Sequence, residues 1–352
     1  MAVIETRPVG VHLVGSLALD SAEEVFRATS EILGERLRRI PDGETGPRSI
    51  WVGWQYTALS RVEDLEAVER AQKTQGTPLE FRPRSGVDPR GIDLGSLGYA
   101  PEALTSYAVF QHLKAQGTIP PRVRFQVALP TPFSGTQVWV ERGSREALTP
   151  AFERAMRTAV EEVVESIPAN EMAIQWDVCL EVGFWDRPYF NFLDSDPMDD
   201  ATQATVLGNL GELGDLVPAG VELGYHLCYG DWGHQHFKQP DDAGKLVEMA
   251  NGISAAVRRR VDWIHLPVPR DRDDAAYFEP LRALALQPGC ELYLGLVHYT
   301  DGVEGTDRRI ATARRFVTDF GVATECGMGR RPEGQDIREL LRIHRDVSAP
   351  VR

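Results

Sequence analysis

Short apolar runs recur along the chain at His12–Leu17, Leu37–Pro41, Val123–Leu129, Met172–Val182, Val221–Cys228, Val261–Pro267, Glu291–Val297 and Val322–Cys326. Each is rich in Val, Ile, Leu or aromatic residues and bounded by turn residues, the pattern of a buried strand. Helix signals lie between them. Ser21-Ala-Glu-Glu24 is a capping box that opens a helix over Val25–Arg38. Thr149 followed by Pro150 predicts the start of a helix over Ala151–Ser166. Asp241 or Asp242 is placed to cap Lys245–Arg259, and Thr306 to cap Asp307–Phe320, which stops at Gly321. A last helix is expected over Asp336–Asp346.

Eight strands alternating with helices predict an α/β fold, a single (β/α)8 TIM barrel over residues 1–352. A doubly wound open sheet is the alternative, but no Gly-x-Gly-x-x-Gly turn follows the first run. Residues 46–121 are too long for one connection. They hold Trp51, Trp54 and Tyr56, a charged stretch near Arg61–Gln72 that reads as helical, and a Gly/Pro-rich loop at Pro83–Gly98. The expectation is an insertion after strand 2, acting as a lid over the barrel mouth or as a dimer surface.

Composition narrows the function classes. The net charge of -14 disfavours nucleic acid and anionic membranes as partners. No apolar run approaches the roughly 18 residues of a membrane helix. The first residues carry no basic segment followed by an apolar core, so a cytoplasmic protein is expected. Four Cys in 352 residues do not make a disulfide framework. Reduced thiols remain available for metal ligation.

The polar chemistry gathers where the runs end. These endings are Val14-Gly-Ser16, Asp42-Gly-Glu-Thr-Gly46, Pro130-Thr-Pro-Phe-Ser134, Gln175-Trp-Asp177, His226-Leu-Cys228, His265-Leu-Pro267, His298-Tyr-Thr-Asp301 and Glu325-Cys-Gly327. In a barrel the C-terminal strand ends share one rim, which is where active sites form. Residues i and i+2 of a strand share a face, so His226 and Cys228 stand side by side. With Cys326 they make an imidazole and two thiols, a suitable donor set for zinc with one position left open. A lone His-x-Cys on a strand is more often packing; convergence of the endings at one rim favours the site. Cys179 and Cys290 read as packing residues, and Arg258–Arg260 as a solvated face.

Taken together, these endings resemble the C-terminal catalytic barrel of cobalamin-independent methionine synthase and the wider group of zinc-dependent thiol alkyltransferases. Val14-Gly-Ser16 is similar to the first-strand motif that holds the amino-acid thiol. Asp42-Gly-Glu44 resembles the motif whose carboxylate grips the substrate amino group, and Ile174-Gln-Trp-Asp177 the strand end that supplies a second carboxylate. His226-x-Cys228 and Cys326-Gly327 resemble the zinc ligands. The resemblance implies Ser16, Glu44 and Asp177 as substrate-binding residues and His226, Cys228 and Cys326 as the metal set. Asp177, His298 and Asp301 are the catalytic candidates, the last two for protonating a leaving group.

The departures are specific. Pro267 falls about where the family places a Glu zinc ligand, with His265 two residues earlier. This leaves His234, His265, Glu304, Glu325 or solvent as the fourth ligand. The family's Asp-Glu-Pro becomes Asp177-Val178-Cys179. The N-terminal half of the full-length synthase has no counterpart.

The expected function is therefore a zinc-dependent methyl- or alkyl-transferase that activates a small-molecule thiol as zinc thiolate, with a separate alkyl or methyl donor, and not a full methionine synthase. A metal-dependent lyase or hydrolase using zinc-bound water is the alternative. A non-catalytic small-ligand binder is the third reading. A homodimer is compatible with the chain.

Overall fold

The computed structural model describes residues 7–70, 79–186, 198–231, 236–330 and 334–351. Its strands are β1 (Arg39–Pro41), β2 (Leu65–Glu69), β3 (Leu79–Pro83), β4 (Arg124–Pro130), β5 (Met172–Val178), β6 (Glu222–Leu227), β7 (Trp263–Pro267), β8 (Glu291–Gly295) and β9 (Gly321–Val322). The α-helices are α1 (Ala22–Leu33), α2 (Gln55–Leu59), α3 (Tyr99–Ala115), α4 (Pro132–Trp139), α5 (Arg145–Ser166), α6 (Leu180–Trp185), α7 (Asp200–Leu216), α8 (Gly244–Ala256), α9 (Ala275–Phe278), α10 (Gly302–Ala313) and α11 (Ile337–Val347). Among the described residues seven strands form one parallel, curled sheet in the order β1-β4-β5-β6-β7-β8-β9. Helices return the chain between successive strands, as a parallel sheet requires.

The expected first strand, His12–Leu17, does not form a regular ladder. Val11 bridges Leu37 on one side and Val322 on the other, and Leu17 bridges Met328. Its backbone is held from inside the sheet: the Gln126 side-chain amide donates to the Leu13 and Val14 carbonyls, and Gln175 donates to Val14. These amides take acceptors that a strand ladder would otherwise use.

Other boundaries also moved. The run 322–326 yields a two-residue strand, and Met172–Val182 stops at Val178 before α6. The helix after Gly143 starts at Arg145, one turn before Thr149, with Pro150 inside its first turns. Helix α10 begins at Gly302 with Asp301 at its N-cap, ahead of the expected Thr306. The stretch read as helical near Arg61–Gln72 contains β2, which pairs antiparallel with β3. Residues 99–115, expected within the insertion, are α3, which packs on α1, α5 and β4 as a crossover helix. Residues 46–70 and 79–98 are thus the described part that is neither a strand of the large sheet nor a crossover helix. No helix among the described residues is long and apolar enough to cross a membrane.

At the N-terminal end of the sheet, Arg39 on β1 is 4% exposed and ion-pairs with Glu222 on β6 (2.5 Å) and Glu291 on β8 (3.1 Å). Its guanidinium lies 4.0 Å from the Trp263 ring centre. One cation therefore ties three separated strands together. Arg39→Ala is expected to cost roughly 2–3 kcal/mol in urea unfolding, less than a fully buried pair because both carboxylates keep solvent contact. A loss below ~1 kcal/mol would show that the pairs are no stronger than surface bridges.

Candidate active site

Parallel register sets the site. Asp177 on β5 pairs with His226 on β6, which pairs with His265 on β7. The three side chains therefore share one row of the inner face. Cys228 follows His226 by two residues, just past the end of β6, and Cys326 arrives in the loop after β9. Their sulfurs lie 3.5 Å apart, and the donor atoms of His226, Cys228 and Cys326 all lie within 4.8 Å of one another. The Gly230 N–H donates to Cys228 Sγ at 3.1 Å. All three line a cavity of about 390 Å³ together with Ser16, Glu44 and Asp177.

Hydrogen bonds assign the tautomers of the two imidazoles. His265 Nε2 lies 3.0 Å from the Thr324 carbonyl, which can only accept, so Nε2 carries the proton. Burial holds His265 well below the ordinary imidazole range, down to about 3, so the ring is neutral and its Nδ1 is an acceptor. His226 Nδ1, 2.7 Å away, must then be the donor. This leaves His226 Nε2 with a free lone pair, and that atom is buried without a hydrogen-bond partner among the described residues. An orphaned imidazole nitrogen beside two thiols that form no disulfide fits a zinc ion, and His265 is the group that orients the His226 ring.

The carboxylates form the second half of the site. Asp177 is 8% exposed and accepts from Gln175 Nε2 at 2.9 Å and from the Trp51 indole. Gln175 Oε1 in turn faces His12 Nε2 at 2.8 Å. Glu44 sits in a left-handed conformation at φ 46°, with its N–H bonded to Asp42 Oδ1. A Cβ on Gly15 would lie 2.6 Å from Glu44 Oε1, so a larger residue there would displace this carboxylate. Burial raises both carboxyl groups above the usual carboxylate range, and repulsion from Asp177 adds to this for Glu44. Ser16 Oγ accepts from the Gly329 N–H at 3.2 Å, which fastens the first segment to the last loop.

The remaining candidates lie elsewhere. His298 bonds the Val268 carbonyl through Nε2 at 3.0 Å and does not line the cavity. Asp301 is paired with Arg309 through both oxygens, at 2.7 and 2.8 Å, and is likewise off the cavity wall. Glu304 is an exposed partner of Arg308. Glu325 is 3.3 Å from His236. His234 lies outside the described residues. Cys179, read as packing, packs in one apolar cluster with Cys228 and also lines the cavity. Trp51 had no local signal, since its partner Asp177 is distant in sequence. Gln175 could have been found, because it stands two residues before Asp177 on the same strand face.

No protein-family model and no curated protein sequence matches the chain. Solved structures do. A B12-independent methionine synthase from Shewanella sp. W3-18-1, solved with selenomethionine, superposes with a TM-score of 0.59 over 97% of both chains at 14% identity. A putative vitamin-B12 independent methionine synthase from Listeria monocytogenes gives 0.56 over 98% of this chain and 99% of that one at 13% identity. A methyltransferase from Methanosarcina mazei gives 0.57 over 97% and 94% at 12% identity. The chain thus shares the fold of cobalamin-independent methionine synthase-like proteins and of a methyltransferase.

Two predictions follow from the site itself. In metal-free protein, 15N-detected NMR should find His226 protonated at Nδ1 and His265 at Nε2; the reverse tautomer of His226 would remove the metal-ready nitrogen. The carboxyl pair makes a pH prediction. Folded Glu44 titrates above its unfolded value, so between about pH 4.5 and 8 the folded state binds more protons and loses stability as pH rises. Glu44→Gln removes this contribution, so its melting temperature relative to wild type should rise from pH 5 to pH 8. A constant difference would contradict the buried placement of Glu44.

Proposed function

We propose that this protein is a zinc-dependent methyl- or alkyl-transferase acting on a thiol, built on an eight-staved barrel that the 9–17 segment closes between β1 and β9. The observation that carries the reading is the convergence of the His226 imidazole, Cys228 Sγ and Cys326 Sγ at one cavity wall. The shared fold with a B12-independent methionine synthase and a methyltransferase supports it. Zinc held by these three residues would lower the pKa of a substrate thiol and keep it as the reactive thiolate.

The other steps belong to the chain's own groups. Glu44 and Asp177 face the cavity and bind a cationic or hydrogen-bond-donating head of the substrate, which relieves the repulsion between them. Trp51 and Gln175 fix the Asp177 carboxylate for that contact. The raised proton affinity of this pair also makes it the nearest proton source for a leaving group, since His298 and Asp301 are engaged elsewhere.

Metal analysis of the purified chain tests the reading. Wild type is expected to hold about one zinc per chain, and Cys228→Ser and Cys326→Ser to lose at least tenfold in zinc affinity. His265→Ala is expected to lose about 10- to 100-fold while keeping all three ligands, through loss of the tautomer lock. Full zinc affinity in Cys228→Ser would reject the metal centre. Zinc binding without any thiol alkylation would point to water activation instead.

A further inference from the structure

The polar wall of the cavity is matched by a wall that offers carbon alone. The 3-10 segment Gly46–Trp54 contributes Ile50, Trp51 and Val52, and the opposite side contributes Val138, Leu180 and Phe237. The polar groups of these walls are used internally. The Trp139 indole donates to the Val52 carbonyl at 2.8 Å, which pins roof to wall. Arg70 bonds the Val138 carbonyl at 2.5 Å, and the Trp51 indole is taken by Asp177. Phe237 reaches the cavity because residue 230 is glycine: a Cβ there would sit 2.0 Å from the ring. Ile50 is 54% exposed at this wall, one of two large apolar side chains so exposed among the described residues. Trp51 beside it holds a left-handed backbone at φ 53°, a strained conformation that the fold keeps where roof meets carboxylate.

Charge limits the ligand further. Both guanidinium groups on the wall already face acids: Arg330 lies 3.6 Å from Asp231, and Arg70 lies 3.5 Å from Glu80. Among the described residues Glu44 and Asp177 have no guanidinium in hydrogen-bond contact: Arg48 pairs with Asp42 at 2.8 Å, and Arg330 acts on both carboxylates only at longer range. A volume of about 390 Å³ is at the small end of ligand pockets, which run roughly 300–1,000 Å³.

We infer that the cavity takes a compact molecule with a hydrocarbon body and a single cationic or donor head, and that polyanionic thiols and alkyl donors are excluded. The head meets Glu44 and Asp177, and the body lies against Ile50, Val52, Val138, Leu180 and Phe237. That this molecule is a substrate of alkyl transfer rests on the function proposed above; the binding preference does not.

The test uses the metal-free full-length chain and simple probes. Isothermal titration calorimetry compares n-alkylamines, n-alkanols and n-alkanoates from four to eight carbons. The expected result is about fourfold tighter binding per added methylene, the ratio that ~0.8 kcal/mol per CH2 implies. Amines should bind at least tenfold tighter than carboxylates of equal length. Ile50→Asn, at an exposed position, should flatten the length dependence and keep the head-group preference, while Asp177→Asn should do the reverse. A series without length dependence, or carboxylates that bind as well as amines, overturns the inference. Because no metal is present, these outcomes stand apart from the fate of the zinc reading: length-dependent amine binding in a chain that holds no zinc would keep the ligand class and discard the transferase.

Discussion

The site depends on strand register. Asp177, His226 and His265 stand in one lateral row because β5, β6 and β7 pair in parallel without offset. Side chains alternate faces with a period of two, so a one-residue slip of β6 would send His226 into the helix layer. The same slip would break the Nδ1–Nδ1 bond to His265 and with it the assignment of the free nitrogen. Packing holds the register: a Cβ on Gly224 would lie 1.9 Å from the Trp263 ring, so this glycine and this tryptophan fit only in the observed alignment. The convergence of His226 with Cys228 and Cys326 is thus a consequence of sheet packing more than of any local motif.

Electrostatics then divide the cavity into two parts. Its imidazoles are neutral because burial disfavours their charge, and its carboxyl groups hold protons more tightly than usual for the same reason. Arg330 on the same wall, and Arg48 beside Glu44, offset the carboxylates only in part. A divalent cation at the His-Cys-Cys corner and a cationic head at the Glu44–Asp177 corner are complementary answers to the two halves. The apolar roof of residues 50–52 lowers the local dielectric and strengthens both attractions.

Much of this could be read from residues alone, and the exceptions have physical causes. Strand ends were legible because short apolar runs stopping at Gly, Pro or acidic residues mark the C-terminal rim. His226, Cys228, Cys326, Ser16, Glu44 and Asp177 met at one cavity for that reason. The first segment looked like a strand by composition, yet side-chain amides from Gln126 and Gln175 hold it in place of a regular ladder. The stretch 65–69 carries charge at helical density but pairs as a hairpin, an instance of tertiary context overriding propensity. His265 looked like a possible ligand, but its two ring nitrogens are engaged by His226 and the Thr324 carbonyl, so it orients the His226 ring. Asp301 stood beside His298 in sequence, but Arg309, eight residues later on α10, claims its carboxylate. Trp51 and the apolar roof arise from contacts distant in sequence, which no local pattern encodes.

The central claim is that the three converging donors hold a zinc ion with a position open to a thiol. Zinc K-edge X-ray absorption on the zinc-loaded chain tests it most directly. The account predicts two sulfur neighbours and one imidazole nitrogen from the protein at about 2.3 and 2.0–2.1 Å, with the sulfur count rising to three when a thiol is added. A shell of oxygen and nitrogen alone, or one unchanged by thiol, would contradict it.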